Sequence, residues 1–285
     1  MNKKRAALFL IMLALVCVTA SGENSALASS SPTIRIMSFN IQTFGVTKMS
    51  RPEAVKILVD LVSQADIIAV QEVRSVRIDP VERFMALLPD KYGYVIGPRE
   101  GRSSSKEQYW VIYDTEKFTV LEYDSWPDTE DIFERSPFSV YFKTSGAFDF
   151  TLIDNHIRPS DAENEIRALP GVVTYYIDLW NDPDVLVMGD FNADGRYFDK
   201  TLLSSIFTND KYQIIFTDED TTVAASRNTY DRFIITSSAS NYFTGNFGVI
   251  RFDEVYDFSG YSIRPSQVSD HYPIWAEFYI DRQPE

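Results

Sequence analysis

Two histidines stand in a chain of 285 residues, and histidine is the side chain best suited to moving protons near neutral pH. His156 follows the apolar run Phe148 to Asn155, and His271 precedes the run Ile274 to Ile280, so both sit at strand ends beside acidic residues. One such histidine alone reads more readily as structural or exposed; two in equivalent settings, with no others in the chain, read as a pair. The acidic candidates are Glu72, Glu107, Asp190, Asp231 and Asp270, each beside an apolar run. A carboxylate bonded to a histidine fixes its tautomer and stabilises its cation. Hard divalent cations need oxygen ligands from several elements, and Mg²⁺ takes one or two carboxylates while water or substrate phosphate fills its other positions. These residues therefore supply one metal site and two carboxylate-histidine pairs. Those are the parts for hydrolysing a phosphodiester: a base for water, an acid for the leaving oxygen, and positive charge on the phosphoryl oxygens. A serine hydrolase is disfavoured by the lack of a Gly-x-Ser-x-Gly element, and a zinc site by the lack of a His-x-x-x-His pair.

One of these acids is mounted on the stretch Val185 to Asp194, which reads Val-Leu-Val-Met-Gly-Asp-Phe-Asn-Ala-Asp. Its continuous apolar run predicts a strand buried on both faces, ending at a glycine and a carboxylate. On an extended backbone Asp190 and Asn192 point to the same side and converge on one ligand. A plain strand followed by an Asx turn accounts for the same residues, since Asp, Asn and Gly all favour turns.

The elements that must position these groups alternate at first. Thr33 to Ile41 reads as a half-buried strand, and Pro52 opens a helix with Ala54, Val55, Leu58, Leu61 and Val62 on one face. Ile67 to Val70 is a second buried strand ending in Gln71-Glu72. A short helix over Val81 to Leu88 leads to strands at Tyr94 to Ile96 and Tyr109 to Tyr113, separated by the polar loop Pro98 to Lys106. Strands at Phe118 to Glu122, Phe138 to Phe142 and Phe148 to Asn155 follow, too close together for helical crossovers and hence antiparallel. Ser160 and Glu163 form a capping-box pattern for a helix running to about Leu179, with Pro170-Gly171 a candidate kink. After Asp194 come a short helix (Phe198 to Phe207), an acidic Thr-rich loop (Thr217 to Asn228) and strands at Tyr230 to Thr236, Tyr242 to Ile250 and Ile274 to Ile280. Two halves of this mixed kind predict an α+β chain of two packed sheets with helices outside, whose polar strand ends meet along one edge.

Lys3, Lys4 and Arg5 precede an uncharged run from Ala6 to Ala20 that is too short for a comfortable membrane span, which predicts a signal peptide over residues 1–28. Small residues allow cleavage after Ala20 or after Ala28. Cys17 lies inside this segment, and bulky Val16 before it argues against a lipid anchor. Residues 29–285 fit a single catalytic domain better than two small ones. The expected destination is extracellular or periplasmic, with no membrane attachment after cleavage and no obligate protein partner. Without a disulfide, core packing or bound metal must hold the fold. Taking the three leader cations and Glu23 from totals of 27 basic and 41 acidic residues leaves 24 and 40, a net charge near −16. That sign excludes binding nucleic acid by general electrostatics; a polyanionic partner requires cations and a local basic patch.

Seven motifs then stand in order. They are Ser38-Phe39-Asn40-Ile41-Gln42-Thr43-Phe44-Gly45 with Lys48-Met49-Ser50, Gln71-Glu72-Val73-Arg74, Gly101-Arg102 with Lys106-Glu107 and Tyr109, and His156 with Pro159-Ser160-Asp161-Ala162. Gly189-Asp190-Phe191-Asn192-Ala193-Asp194, Tyr230-Asp231-Arg232 and Ser269-Asp270-His271-Tyr272-Pro273 complete the set. Together they resemble the endonuclease/exonuclease/phosphatase superfamily, and within it the deoxyribonuclease I family, across nearly all of residues 33–280.

The resemblance implies a four-layer α/β/β/α sandwich of two mixed sheets, α+β in kind though placed in the α/β class by some schemes, with the active site between the sheet edges. It implies that Glu72 holds a catalytic Mg²⁺ or Mn²⁺ with Asn40, Asp190 and Asp270 close by, and that Asn192 orients the scissile phosphate. Glu107 would pair with His156 and Asp231 with His271, one histidine acting as base and the other as acid, in an order left open. Arg74, Arg102 and Arg158 would be the local contacts to double-stranded DNA. In that family Ca²⁺ supports the loops: Asp220 matches one ligand, whereas the acidic loop Asp124 to Asp131 is shortened relative to another. Two departures stand out. The family's disulfides are missing, with Gly195 and Asn228 in the matching regions, and Ser105 replaces a tyrosine that packs into the minor groove. The implied activity is that of a secreted, divalent-metal-dependent endonuclease leaving 5′-phosphate ends on DNA. A sphingomyelinase-like lipid phosphodiesterase or a phosphatase shares the Asn, Glu, Asp-x-Asn and Asp-His signature. Gln-Thr-Phe-Gly, Lys-Met-Ser, Arg74 and the lack of an apolar membrane-docking insertion favour the nuclease. A toxin-like, non-catalytic binding subunit is disfavoured because every catalytic position that can be matched is filled.

Overall fold

Alternation of inward and outward side chains along the strands sets the architecture. A computed structural model of the chain describes residues 32–281 apart from residue 103; the expected signal peptide, its two cleavage points and Cys17 lie outside the described residues. The chain begins with β1 (Thr33–Phe44), α1 (Val46–Met49), α2 (Pro52–Val62), β2 (Ile67–Val73), α3 (Asp79–Met85), β3 (Tyr92–Ile96) and β4 (Gln108–Asp114). It continues through β5 (Phe118–Ser125), β6 (Phe138–Thr144), β7 (Phe150–His156), α4 (Ala162–Trp180), β8 (Val185–Asp190), α5 (Leu203–Ile206), β9 (Tyr212–Ile214) and β10 (Asp231–Thr236). Last come β11 (Phe243–Val249), α6 (Phe252–Val255) and β12 (Ile274–Tyr279).

Two six-stranded sheets result, in the orders β11-β12-β1-β2-β4-β3 and β5-β6-β7-β8-β10-β9. Each holds one parallel pair joined by a helical crossover, β1 with β2 through α2 and β7 with β8 through α4. The sheets are not simply the two halves of the sequence, because β11 and β12 return to flank β1. Period two then sorts the core. Ile34 and Ile36 of β1 face the other sheet and pack in one cluster with Leu152, Met188, Phe233 and Phe278. Met37, Phe39 and Ile41, the alternate residues, pack instead with Leu58 and Leu61 of α2. On the far side, Ile153 and Val187 meet Ile166, Leu169 and Val173 of α4. Helix, sheet, sheet and helix therefore stack as four layers, each fully buried aliphatic side chain contributing about 1.5–3 kcal/mol.

Local departures from the expected elements have local causes. A 3₁₀ turn at Pro159–Asp161 precedes α4 and no side chain caps the helix, so the capping box expected of Ser160 and Glu163 does not form. Glu165 turns inward instead and accepts from the backbone N–H groups of Glu134 and Arg158. The helix expected from Val81 begins earlier, because Asp79-Pro80 places proline in its first turn. Elements α1 and β9, four and three residues long, are too short to show a period. Gly189 is required where it stands: its φ is +137°, and a Cβ there would lie 1.9 Å from the carbonyl oxygen of Asn155 on β7.

Candidate active site

The same alternation assembles the site. Counting by twos along the faces that look between the sheets, the last inward positions are Asn40 on β1, Glu107 just before β4, His156 on β7, Asp190 on β8 and Asp231 on β10. His271 waits just before β12. Glu72 falls one position beyond its series. An irregularity in the β2–β4 pairing and a φ of +64° at Glu72 bring it to the same edge. Seven strands thus deliver seven of the expected groups to one place.

Asn40 Nδ2 donates to Glu72 Oε1 at 3.3 Å and to Asp190 Oδ2 at 3.1 Å. Glu72 Oε2 accepts from Thr43 N at 2.9 Å and lies 3.3 Å from Arg74 Nη2. His156 Nδ1 is 2.6 Å from Glu107 Oε1, and His271 Nδ1 is 2.8 Å from Asp231 Oδ2. Both expected pairs form, and both use Nδ1. Each ring therefore presents Nε2 to the centre, where Asp190 Oδ2 stands 3.5 Å from either one.

Charge is tuned by what surrounds each group. Burial alone would raise the Glu107 carboxyl, but His156, Arg135 and Arg74 pull it down to about 2. Arg135, which sequence reasoning missed, holds Glu107 Oε1 at 2.7 Å and donates to the His156 carbonyl at 2.9 Å. Its only signal was a cation placed just ahead of β6, the neighbour of the strand that carries His156. A carboxyl at about 2 in the fold against 4.5 otherwise contributes stability above pH 4.5 and loses it as pH falls toward 2. The melting-temperature gap between the protein and Glu107→Gln is therefore expected to narrow between pH ~5 and ~2.5. A gap that stays constant would contradict the pairing. At His271 burial opposes the charged form, yet Asp231, Asp190 and Asp270 together lift the imidazole well above its ordinary value.

Asp190 and Asn192 do not lie on one extended backbone. The strand ends at Asp190, whose Oδ1 accepts from Asn192 N at 3.0 Å, while Asn192 takes φ +48° and its Nδ2 donates to Ile157 O. The Asx turn and the site are the same feature. Asp270 is exposed, and its charge is felt by His271 and by Lys48. Lys48 was not anticipated as a site residue. Its buried ammonium donates to Ile41 O and Val268 O at 2.6 Å each, and desolvation lowers it to about 8 against the pull of Asp270 and Glu72. Ser269 Oγ, bonded to Asn40 O and accepting from His271 N, completes the fastening of this segment to β1.

Among the described residues, Asp190, Asp231 and His271 form a group whose ligand atoms all lie within 4.8 Å of one another. Asp231 and His271 are already bonded to each other there. Glu72 and Asp190, joined through Asn40, offer the all-oxygen donors that suit Mg²⁺ or Mn²⁺, so the residues present fit a hard divalent cation. Asp220 is tied into its own loop. Its Oδ1 accepts from Thr222 N, Thr222 Oγ1 and Asn228 N, and Oδ2 faces Arg251 Nη1 at 3.6 Å. The guanidinium thus stands beside the carboxylate oxygen that these loop hydrogen bonds leave over. Hydrogen bonds brace these loops where the resembling family has disulfides. Asp194 Oδ2 accepts from Thr229 N at 2.9 Å, and buried Arg232 donates to Phe216 O and Ala193 O.

The expected basic contacts flank the centre. Arg74 sits between Glu72 and Glu107, with its Nη1 on Ser105 Oγ at 3.0 Å. Arg102 and Arg158 line a cleft of about 450 Å³ together with Glu134, Arg135 and Pro159. Glu134 accepts from both, from Arg102 N at 3.0 Å and Arg158 Nη1 at 3.1 Å, and Arg102 is further held by Asp131. Arg102 and Arg158 are thus fixed in place by acids on the second sheet's side, and Arg74 by acids of the first.

Residues 37–271 match the family described as Endonuclease/Exonuclease/phosphatase family. The bovine protein Deoxyribonuclease-1 (Bos taurus) is 34% identical over 257 residues, covering 85% of this chain and 90% of that protein. Human Deoxyribonuclease-1 (Homo sapiens) is 33% identical over 270 residues, covering 88% and 94%. An endonuclease/exonuclease/phosphatase family protein from Bacteroides thetaiotaomicron superposes with a TM-score of 0.63 at 14% identity, covering 89% of this chain and 98% of its own. At that identity the likeness speaks for the fold.

Proposed function

The chain belongs to the endonuclease/exonuclease/phosphatase family, in its deoxyribonuclease I-like branch, and from that premise we propose that it is a divalent-metal-dependent endonuclease hydrolysing DNA to 5′-phosphate ends. The observation that carries this reading is the convergence of two carboxylate-backed imidazoles on Asp190, each Nε2 at 3.5 Å from one oxygen. An acid and a base facing a single point suit the in-line displacement of an oxygen from phosphorus. One imidazole accepts the proton of the attacking water, and the other protonates the departing O3′ as the P–O3′ bond breaks. Glu107 and Asp231 hold the two rings in the tautomer that leaves Nε2 free. Glu72 and Asp190, with Asn40, would hold Mg²⁺ or Mn²⁺, which when bound supplies positive charge to the phosphoryl oxygens. Asn192 borders the phosphate through its turn on Asp190, and Arg74, Arg102 and Arg158 grip the flanking phosphates of the duplex. They answer the net charge of −14, which would otherwise repel a polyanion. Asp220 would hold a Ca²⁺ that supports its loop. The leader at residues 1–28 directs the chain out of the cytoplasm.

Supercoiled plasmid, RNA, sphingomyelin and a phosphate monoester, each offered with Mg²⁺, separate the candidate activities. Plasmid is expected to be cut at least ~10²-fold faster than the lipid or the monoester, the order of discrimination expected of a site built around its substrate's polar groups. Faster turnover of sphingomyelin or the monoester would replace this reading with the lipid phosphodiesterase or the phosphatase.

A further inference from the structure

Directly beneath the groups described above lies a second polar layer that the chemistry does not use. Two residues back along the same inward faces, Ser38 stands below Asn40 and Asp154 below His156, with Gln71 of β2 between them. Gln71 Nε2 donates across the space between the sheets to Asp154 Oδ1 at 2.5 Å, and also to Ser38 Oγ at 3.2 Å. All three residues are fully buried, in a layer otherwise filled by Leu152, Met188 and Phe233.

A carboxyl in such surroundings normally has a cation beside it, but among the described residues Asp154 forms no ion pair. Burial pushes its carboxyl well above the usual carboxylate range, against the pull of hydrogen bonds from Gln71 and the Asn155 backbone. A second feature lies in the same pair. Gln71 Oε1 and Asp154 Oδ2 lack a hydrogen-bond partner when both are taken as acceptors, and they belong to the two side chains already joined through Nε2 and Oδ1. A proton on the carboxyl would supply the donor that two such oxygens lack. An apolar pair of similar size would fill the same space at no loss of stability, so stability alone does not call for this link. Its location suggests what does: Gln71 precedes Glu72 directly, and Asp154 lies two residues before His156 on the same strand face.

We propose that Asp154 is a positioning residue which, through its hydrogen bond to Gln71, sets the spacing between the strand end carrying Glu72 and the strand end carrying His156. The link joins β2 of one sheet to β7 of the other immediately under the reacting groups, and a shift of about 1 Å between such groups is enough to cost ~10²-fold in rate. The proposal rests on the nuclease reading only for its turnover assay.

Three substitutions test it. Asp154→Asn keeps a neutral hydrogen-bonding group and is expected to retain kcat within about threefold. Asp154→Leu keeps the volume without the link; with Gln71 left unpaired it should melt somewhat lower than the parent, and it should lose at least ~10-fold in kcat, with KM for plasmid within about twofold because the side chain is out of reach of DNA. Asp154→Ala, which also leaves a cavity, should fall with Asp154→Leu in kcat while melting lower. Rates are measured on plasmid and on bis(4-nitrophenyl) phosphate, so a parent that hydrolyses only the latter removes the DNA reading and leaves the ranking of variants intact. The downfield proton of the short His156–Glu107 bond gives a readout independent of turnover: it should persist in Asp154→Asn and shift or broaden in Asp154→Leu. Parental kcat in Asp154→Leu, an unchanged proton resonance in it, or Asp154→Asn as slow as Asp154→Leu would each overturn the proposal.

Discussion

Replacing His271 by alanine is expected to lower kcat on plasmid DNA by roughly 10³-fold, within the range for losing a positioned acid or base. The ring is bonded at Nδ1 to Asp231, which is buried, and its Nε2 faces Asp190 Oδ2. Alanine removes the proton carrier and leaves a buried carboxylate without its imidazole, so circular dichroism must first show that the fold survives. His156→Ala should fall by a similar factor. The double substitution should be little slower than either single one, because an acid and a base that serve one displacement act as a unit. KM should change little in all three, since the grip on DNA belongs to the arginines. A variant retaining kcat within about threefold would take that histidine out of the mechanism.

Glu72→Gln carries the second large effect. Glu72 Oε1 is bonded to Asn40 and Oε2 to Thr43, and the side chain meets solvent with 13% of its surface exposed. Glutamine preserves the shape and most of these contacts while removing the negative charge. Stability should move little, whereas the Mg²⁺ concentration for half-maximal rate should rise more than ~10-fold and kcat should fall by ~10² or more, as expected when a cation loses a carboxylate ligand or its orientation. Parental Mg²⁺ dependence in this variant would place the cation elsewhere, and the group of Asp190, Asp231 and His271 would be the next candidate.

Much of this site could be read from the sequence because the strands obey a two-residue period. Glu107, His156, Asp190 and Asp231 each stand beside an apolar run, a pattern visible without coordinates, whereas Asn40 entered only through the resemblance. The layer beneath was hidden by the same apolar runs. Asp154 lies in Thr-Leu-Ile-Asp-Asn-His, where it looks like one more polar residue at a strand end, and its significance depends on Gln71 from another sheet. Arg135 and Lys48 were missed for a related reason: both act through carbonyl groups remote in sequence, and composition carries no trace of such contacts. The contact between Asp220 and Arg251, 31 residues apart, is hidden in the same way. The return of β11 and β12 to the first sheet is a matter of long-range pairing, which periodicity does not encode.

The central claim is metal-dependent cleavage of DNA at the meeting point of the two imidazoles. Its most direct measurement follows supercoiled plasmid incubated with the protein and Mg²⁺ or Mn²⁺, beside an EDTA control and the His271→Ala variant. Conversion to nicked circles carrying 5′-phosphate ends, abolished by EDTA and nearly so by the substitution, is the predicted result. Intact plasmid with every divalent metal, or nicking that persists at the full rate in EDTA or in His271→Ala, would contradict it.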